Sequence, residues 1–150
     1  MPTTQLTNPL LTPGQIFRHT RYYHDTAGWH TKYLLVLAAD ADSVIYRLLT
    51  SRAHARPEIP PCYHGDPYPG FYLDLIGGSL SAKSWLDLRR QDDYDRRQFA
   101  ADALAGLLMP EASLPLQRIC AALDCTANAD DTTRQQSRRM RDQRAKLGCE

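Results

Sequence analysis

The chain has no apolar run of the length that a membrane-spanning helix needs, so no membrane span is expected. Its opening stretch, MPTTQLTNPLLTPGQ, lacks a basic start followed by an apolar segment, so no secretory signal is expected either. It has no C-x-x-C pair and no H-x-x-x-H pair, which argues against structural zinc. Its four cysteines, Cys62, Cys120, Cys125 and Cys149, lack the spacing of a disulfide framework, and Cys120 and Cys125 fall on one expected helix. They read as free thiols in a reducing cytoplasm. There is also little net charge, +1 at neutral pH. That small sum conceals an asymmetry. Residues 132–150 hold six basic groups (Arg134, Arg138, Arg139, Arg141, Arg144 and Lys146) against Asp142 and Glu150, a net +4, while residues 1–131 carry −3. A basic tail on a mildly acidic body offers a handle for a polyanion or an acidic partner.

What is there is ordinary globular composition, 43% hydrophobic and 23% charged, in 150 residues, enough for one domain with its own core. Residues 14–23, GQIFRHTRYY, are rich in β-favouring side chains and read as a first strand. HDTAGWHT, residues 24–31, reads as a loop. Residues 33–38 are almost wholly apolar, like a strand covered on both faces, and residues 43–50 form a third strand beyond the AADADS turn. Residues 56–70 hold five of the ten prolines, so this stretch is a long loop and neither a helix nor a central strand. Long loops in compact domains are often functional. A fourth strand is expected at 71–76, a turn at Gly77-Gly78-Ser79 and a fifth strand at 84–89.

Helical spacing of Phe99, Ala103, Leu104 and Leu107 predicts a helix over 96–108 that Pro110 stops. A second helix is expected over 114–123, with Ser113 as its N-cap, Pro115 in its first turn, and Leu116, Ile119, Cys120 and Leu123 as its stripe. Strands followed by helices indicate a mainly β fold, a small barrel or curled sheet with C-terminal helices at its edge. Residues 1–12 read as an N-terminal extension, 13–125 as the barrel with its helices, and 126–150 as a basic polar tail, disordered or helical.

One stretch carries chemistry. HTKYLLVLAADADSVIYRLLTSR opens its first strand on His30 and Lys32 and ends its second on Thr50, Ser51 and Arg52. Lys32 and Thr50 lie about equally far from the turn, so an antiparallel pairing brings them to the same open end. Hydroxyls and a guanidinium suit phosphate oxygens, and imidazole titrates near neutrality. RNA cleavage without a metal needs those parts: a base for the 2′-hydroxyl, an acid for the leaving 5′-oxygen, and cationic donors for the charge that builds on phosphorus. His24 and His30 are the candidate proton carriers. Arg21, Tyr22, Tyr23 and Trp29 are candidates for binding RNA, the aromatic rings by stacking unpaired bases. A metal reading of His19, His24, His30, Cys62 and His64 fits no ligand spacing, and no metal or cofactor is expected.

Four segments resemble the PemK/MazF-like family of toxin–antitoxin endoribonucleases. PGQIF at 13–17 resembles the family's opening Gly-x-Ile-aromatic strand. TKYLLVLAAD resembles its Arg-Pro-x-Leu-Val-Leu-Ser strand, with Lys32 in the arginine's place. VIYRLLTSR resembles the strand that ends in Thr-Ser, and LSAKSWLDLRRQDDYDRRQF resembles the segment that leads into the closing helices. The resemblance spans about residues 13–125. The family's acidic, glycine-rich first loop is replaced here by RYYHDTAGWH, and the loop over 56–70 is longer than usual.

The resemblance implies an SH3-like barrel and a cytoplasmic, metal-independent ribonuclease that cuts single-stranded RNA. Thr50, Ser51 and Arg52 are then expected to bind and polarise the scissile phosphate, and Lys32 to stabilise its developing charge. RNA, a cognate antitoxin protein and a second copy of the chain are the expected partners, the dimer being suggested also by the stripe of the second helix. A non-enzymatic binding module for RNA or a protein is the alternative, with PCYHGDPYPGFY as its contact loop.

Overall fold

The computed structural model describes residues 11–58 and 62–149, so most of the N-terminal extension lies outside the described residues. The architecture is mainly β: a curled antiparallel sheet with three helices. Strand β1 (Gln15–Asp25) and strand β2 (Gly28–Ala39) form a long hairpin, with Ile16 opposite Leu35 at one end and Asp25 opposite Gly28 at the other. Strand β3 (Ser43–Thr50) returns along β2 after a turn in which the Asp40 carboxylate accepts the N–H groups of Asp42 (2.8 Å) and Ser43 (2.9 Å). This is the turn chemistry expected of Asp between two strands.

Strand β4 (Gly70–Asp74) pairs with β5 (Ser84–Asp87), and β5 pairs with the end of β3. The two-residue strand β6 (Tyr94–Asp95) pairs with the start of β3, and β7 (Leu108–Ser113) pairs with β1. The main order is β4-β5-β3-β2-β1-β7.

Alternation along the central strands sends side chains to two separate cores. Ile16, Leu35, Leu37 and Ile45 point to one face, where Leu73, Leu86 and Leu88 join them. Phe17, Leu34, Val36 and Val44 point to the other, with Tyr46, Phe99 and Leu108. This is why the inner half of β2, residues 33–39, is apolar at every position. Helix α1 (Arg96–Leu104), capped by Asp95, puts Phe99 into the second core. Helix α2 (Leu116–Ala127) and helix α3 (Arg134–Leu147) cover the first core through Ile119, Leu123 and Met140.

Several expectations need correction. The segment 24–31 is not a loop. It completes the hairpin, with only Thr26 and Ala27 between the strands, because Gly28 takes φ 107° and the Asp25 carboxylate accepts the Ala27 N–H at 2.8 Å. The first helix ends at Leu104, since Gly106 adopts φ 80°, and the chain then forms β7. Pro110 is tolerated there because β7 is an edge strand, paired on one side. Ser113 belongs to β7, and Pro115 takes the N-cap position of α2.

The cysteines are paired, Cys62 with Cys125 and Cys120 with Cys149, with Cα separations of 5.8 and 5.7 Å. Neither pair is local, so spacing alone could not reveal it. The free-thiol expectation is overturned, and with it that argument for a reducing compartment. The stripe of α2 is likewise not available for a dimer. Ile119 and Leu123 are buried within the chain, Cys120 is bonded to Cys149, and Leu116 faces outward.

Residues 134–147 form a docked helix. Thr133 caps α3, Gly148 closes it in the left-handed conformation, and Met140 is fully buried. Among the described residues no helix is long and apolar enough to cross a membrane.

Candidate active site

The open end of the β2–β3 hairpin meets β5, the 77–84 turn and the loop after β3 around a cavity of about 470 Å³. The last registered pair of the hairpin is Tyr33 with Leu49, and Lys32 and Thr50 are the next residues outward on their strands. Both line the cavity, as do His30, Ser51 and Arg52. Lys32 and Thr50 therefore lie at the same open end, as argued from the turn, despite a bulge between Val36 and Ala38.

Beyond Thr50 the chain folds over itself. The Thr50 hydroxyl accepts the Arg52 N–H at 3.1 Å, and the Arg52 carbonyl accepts Nη1 of Arg56 at 2.9 Å. Arg56 is only 4% exposed and anchors the rim. Its Nε donates to the Pro69 carbonyl at 3.1 Å, and its Nη2 stands 3.6 Å from Asp87. Burial lowers its pKa, while the Asp87 carboxylate acts against that loss. Gly70 is required beside it, because a Cβ there would stand 2.4 Å from Cδ of Arg56. The Asp87 carboxylate also takes both Nε and Nη2 of Arg89, the latter at 2.6 Å, in a two-point grip.

Lys32, Arg52, Arg56 and Arg89 set four cationic side chains against the single carboxylate of Asp87 on the cavity wall. The surplus of positive charge suits an anionic ligand. On the hairpin side His30 stacks on Tyr23, 4.3 Å between ring centroids and 5° between planes, and its Nε2 lies 2.9 Å from Asp25 Oδ1. That contact holds the Asp25 carboxyl below its ordinary range. The Lys32 ammonium lies 5.6 Å from the Tyr23 ring centre. Tyr23 is thus flanked by a histidine and a lysine at the cavity mouth.

The other candidates lie elsewhere. His24 and Trp29 pair across the outer end of the hairpin, ring centroids 5.0 Å apart, and Arg21 stands 5.8 Å over Trp29. Trp29 remains 55% exposed, beyond the cavity wall. Tyr22 points to the second core, where its hydroxyl bonds the Tyr46 hydroxyl at 2.7 Å and the Gln91 side chain at 3.1 Å. Burial raises its pKa. His19 and Cys62 are committed to Asp102 and to the disulfide, and among the described residues no three metal-ligating side chains share a point.

Sequence pattern did not point to His54, Arg56, Asp87 or Arg89, all of which line the cavity. His54 lies two positions beyond Arg52, and that proximity was its one available signal. Arg89 and Asp87 reach the site only through the pairing of β5 with β3.

Comparison of the chain with family models, with curated proteins and with solved structures returned no match in any of the three.

Proposed function

We propose that this protein is a metal-independent endoribonuclease of PemK/MazF-like type, its curled sheet an SH3-like barrel, acting as the toxin of a toxin–antitoxin pair on single-stranded RNA. The observation that carries the reading is the convergence of Lys32, Thr50, Ser51, Arg52 and His30 on one cationic cavity. A phosphodiester seated there meets two hydroxyls, an ammonium and a guanidinium. Arg52 and Lys32 stabilise the charge that grows on the phosphorane oxygens, and the hydroxyls of Thr50 and Ser51 orient them. His30 takes the 2′-hydroxyl proton. Tyr23, at the mouth, offers a ring beside which an unpaired base stacks.

The cytoplasmic site of action follows from the substrate and no longer from the cysteines. A cognate antitoxin covering the cavity and a homodimer complete the proposal. The test is cleavage of mixed-sequence single-stranded RNA by purified protein in excess chelator, with 2′,3′-cyclic phosphate ends as the expected product. Arg52→Ala is expected to lower the rate on the order of a hundredfold, the usual effect of removing one transition-state donor. Expression without antitoxin should slow bacterial growth, and Thr50→Val should relieve it. Protein that binds RNA and leaves it intact in chelator and in added divalent metal alike overturns the enzyme and establishes a binding module.

A further inference from the structure

We infer that His54 is the second proton carrier of this cavity: it protonates the leaving 5′-oxygen, and His30 is its complementary base. The inference rests on the ribonuclease reading and goes beyond it by replacing His24. Cleavage through a 2′-hydroxyl needs two proton transfers at opposite ends of the phosphate, and the cavity wall carries two imidazoles, His30 and His54. His24 is turned away against Trp29.

The roles follow from the partners. A carboxylate only accepts hydrogen bonds, so Asp25 takes the Nε2–H of His30 and leaves Nδ1 as the bare nitrogen able to receive a proton. Asp25 then stabilises the imidazolium that forms. His54 is left as the donor.

One face of its exposed ring is held. Its ring stacks on Tyr68, centroids 4.2 Å apart and planes 16° from parallel. Tyr68 is flanked in turn by the guanidiniums of Arg56 (5.4 Å) and Arg89 (5.1 Å), and both of these reach Asp87. The backbone at His54 and Ala55 is left-handed, φ 47° and 68°, in a turn closed by the Arg56 N–H on the Ala53 carbonyl at 2.8 Å. Two successive non-glycine residues in that region are costly and persist where surrounding contacts enforce them, often at functional sites. The charged and titratable groups around His54 are thus Arg52, Arg56, Tyr68, Arg89 and Asp87; those around His30 are Asp25, Tyr23 and Lys32.

The step balances without a co-reactant. His30 removes the 2′-hydroxyl proton as the 2′-oxygen bonds to phosphorus. The phosphorus–5′-oxygen bond breaks, its electron pair goes to the 5′-oxygen, and the proton of His54 follows. The products are a 2′,3′-cyclic phosphate and a free 5′-hydroxyl, with His30 having gained one proton, from the 2′-hydroxyl, and His54 having lost one, to the 5′-oxygen.

The test compares His54→Asn, His30→Asn and His24→Asn on two substrates. Asn tolerates left-handed φ, so the turn survives the change at residue 54, which circular dichroism and retained RNA binding check. One substrate is a short single-stranded RNA. The other is a nucleoside 3′-(4-nitrophenyl phosphate), whose leaving group departs without a proton. His54→Asn is expected to slow RNA cleavage at least a hundredfold and to erase the alkaline limb of the pH–rate profile. On the nitrophenyl substrate it should slow the reaction less than about tenfold. His30→Asn should slow both. An active wild type with His54→Asn equally active on RNA, or loss of the alkaline limb in His24→Asn instead, overturns the inference and leaves the ribonuclease reading intact. A wild type that cuts neither substrate overturns the ribonuclease reading itself.

Discussion

Nη2 of Arg56 stands 3.6 Å from Oδ1 of Asp87, with the arginine 4% and the aspartate 4% exposed. The pair joins the loop after β3 to the inner strand β5, and so fixes one wall of the cavity to the sheet. Removing the carboxylate leaves a buried guanidinium without its counter-charge. Asp87→Ala is expected to destabilise the fold by about 3–5 kcal/mol, as breaking a buried pair from one side does. Arg89→Ala, which removes the half-exposed member of the same group, should cost much less. Urea unfolding of the two variants checks the order, and equal losses would show that Asp87 is held chiefly by Arg89.

The two disulfides close loops with sequence separations of 63 and 29 residues. Each is expected to add about 4 kcal/mol by restricting the unfolded chain. Peptide mapping of non-reduced protein should recover Cys62 with Cys125 and Cys120 with Cys149, and denatured protein should not react with iodoacetamide before reduction. Cys149→Ser should release the end of α3 first, seen as faster amide exchange over 134–147. Four reactive thiols in freshly purified, unreduced protein would refute the pairing.

His19 supplies a pH dependence. It is 7% exposed, its Nδ1 accepts the Arg21 N–H at 3.1 Å, and its Nε2 lies 3.9 Å from Asp102. Burial pulls its pKa below the ordinary 6.5, against the opposing pull of the Asp102 charge. The unfolded chain therefore binds this proton more readily than the folded one. Its contribution is fully present above pH 6.5 and is lost as pH falls through the lower folded value. His19→Gln should flatten the stability curve just below pH 6.5. Asp25 and Asp40, both held below 3.8, act only in a separate, more acidic window.

Helix α3 divides its basic residues between structure and solvent. Arg139 bonds Ser43 and Asp93 and pairs with Asp40, and Arg141 donates to Asn128. Arg134, Arg138 and Lys146 remain exposed. Changing these three to Gln should leave the melting temperature within a few degrees. On the proposed ribonuclease reading it should also make RNA affinity less steeply salt-dependent, by about 0.7 in logarithmic slope for each phosphate no longer neutralised. Met140→Ala should instead cost about 2–5 kcal/mol, because it empties a fully buried site. An unchanged salt slope in the triple variant would assign α3 a purely structural role.

Local pattern carried the centre of the fold. The bounds of β3, the Asp40 turn and the apolar run of β2 were legible because alternation, turn chemistry and two-sided burial act over a few residues. So was the meeting of Lys32 and Thr50, since a hairpin's register follows from its turn. What depended on distant partners was not legible. Pro110 reads as a helix stop until β7 is seen to be an edge strand beside β1. Residues 134–147 read as a polar tail because Met140 is their one fully buried apolar side chain, and it is the first core that receives it. Tyr22 and Tyr23 are neighbours of one residue type, yet the sheet sends the first to a buried hydroxyl network and the second to the cavity mouth.

By itself the sequence determined a mainly β chain whose third strand ends on Thr50, followed by Ser51 and Arg52, because hydrophobic period and side-chain chemistry are local properties. Only the tertiary structure decided that the cysteines pair, that His54 rather than His24 shares the cavity with His30, and that Asp87 and Arg89 complete its wall. Those facts depend on which strands lie side by side, and burial of two cores on opposite faces of one sheet selects that arrangement.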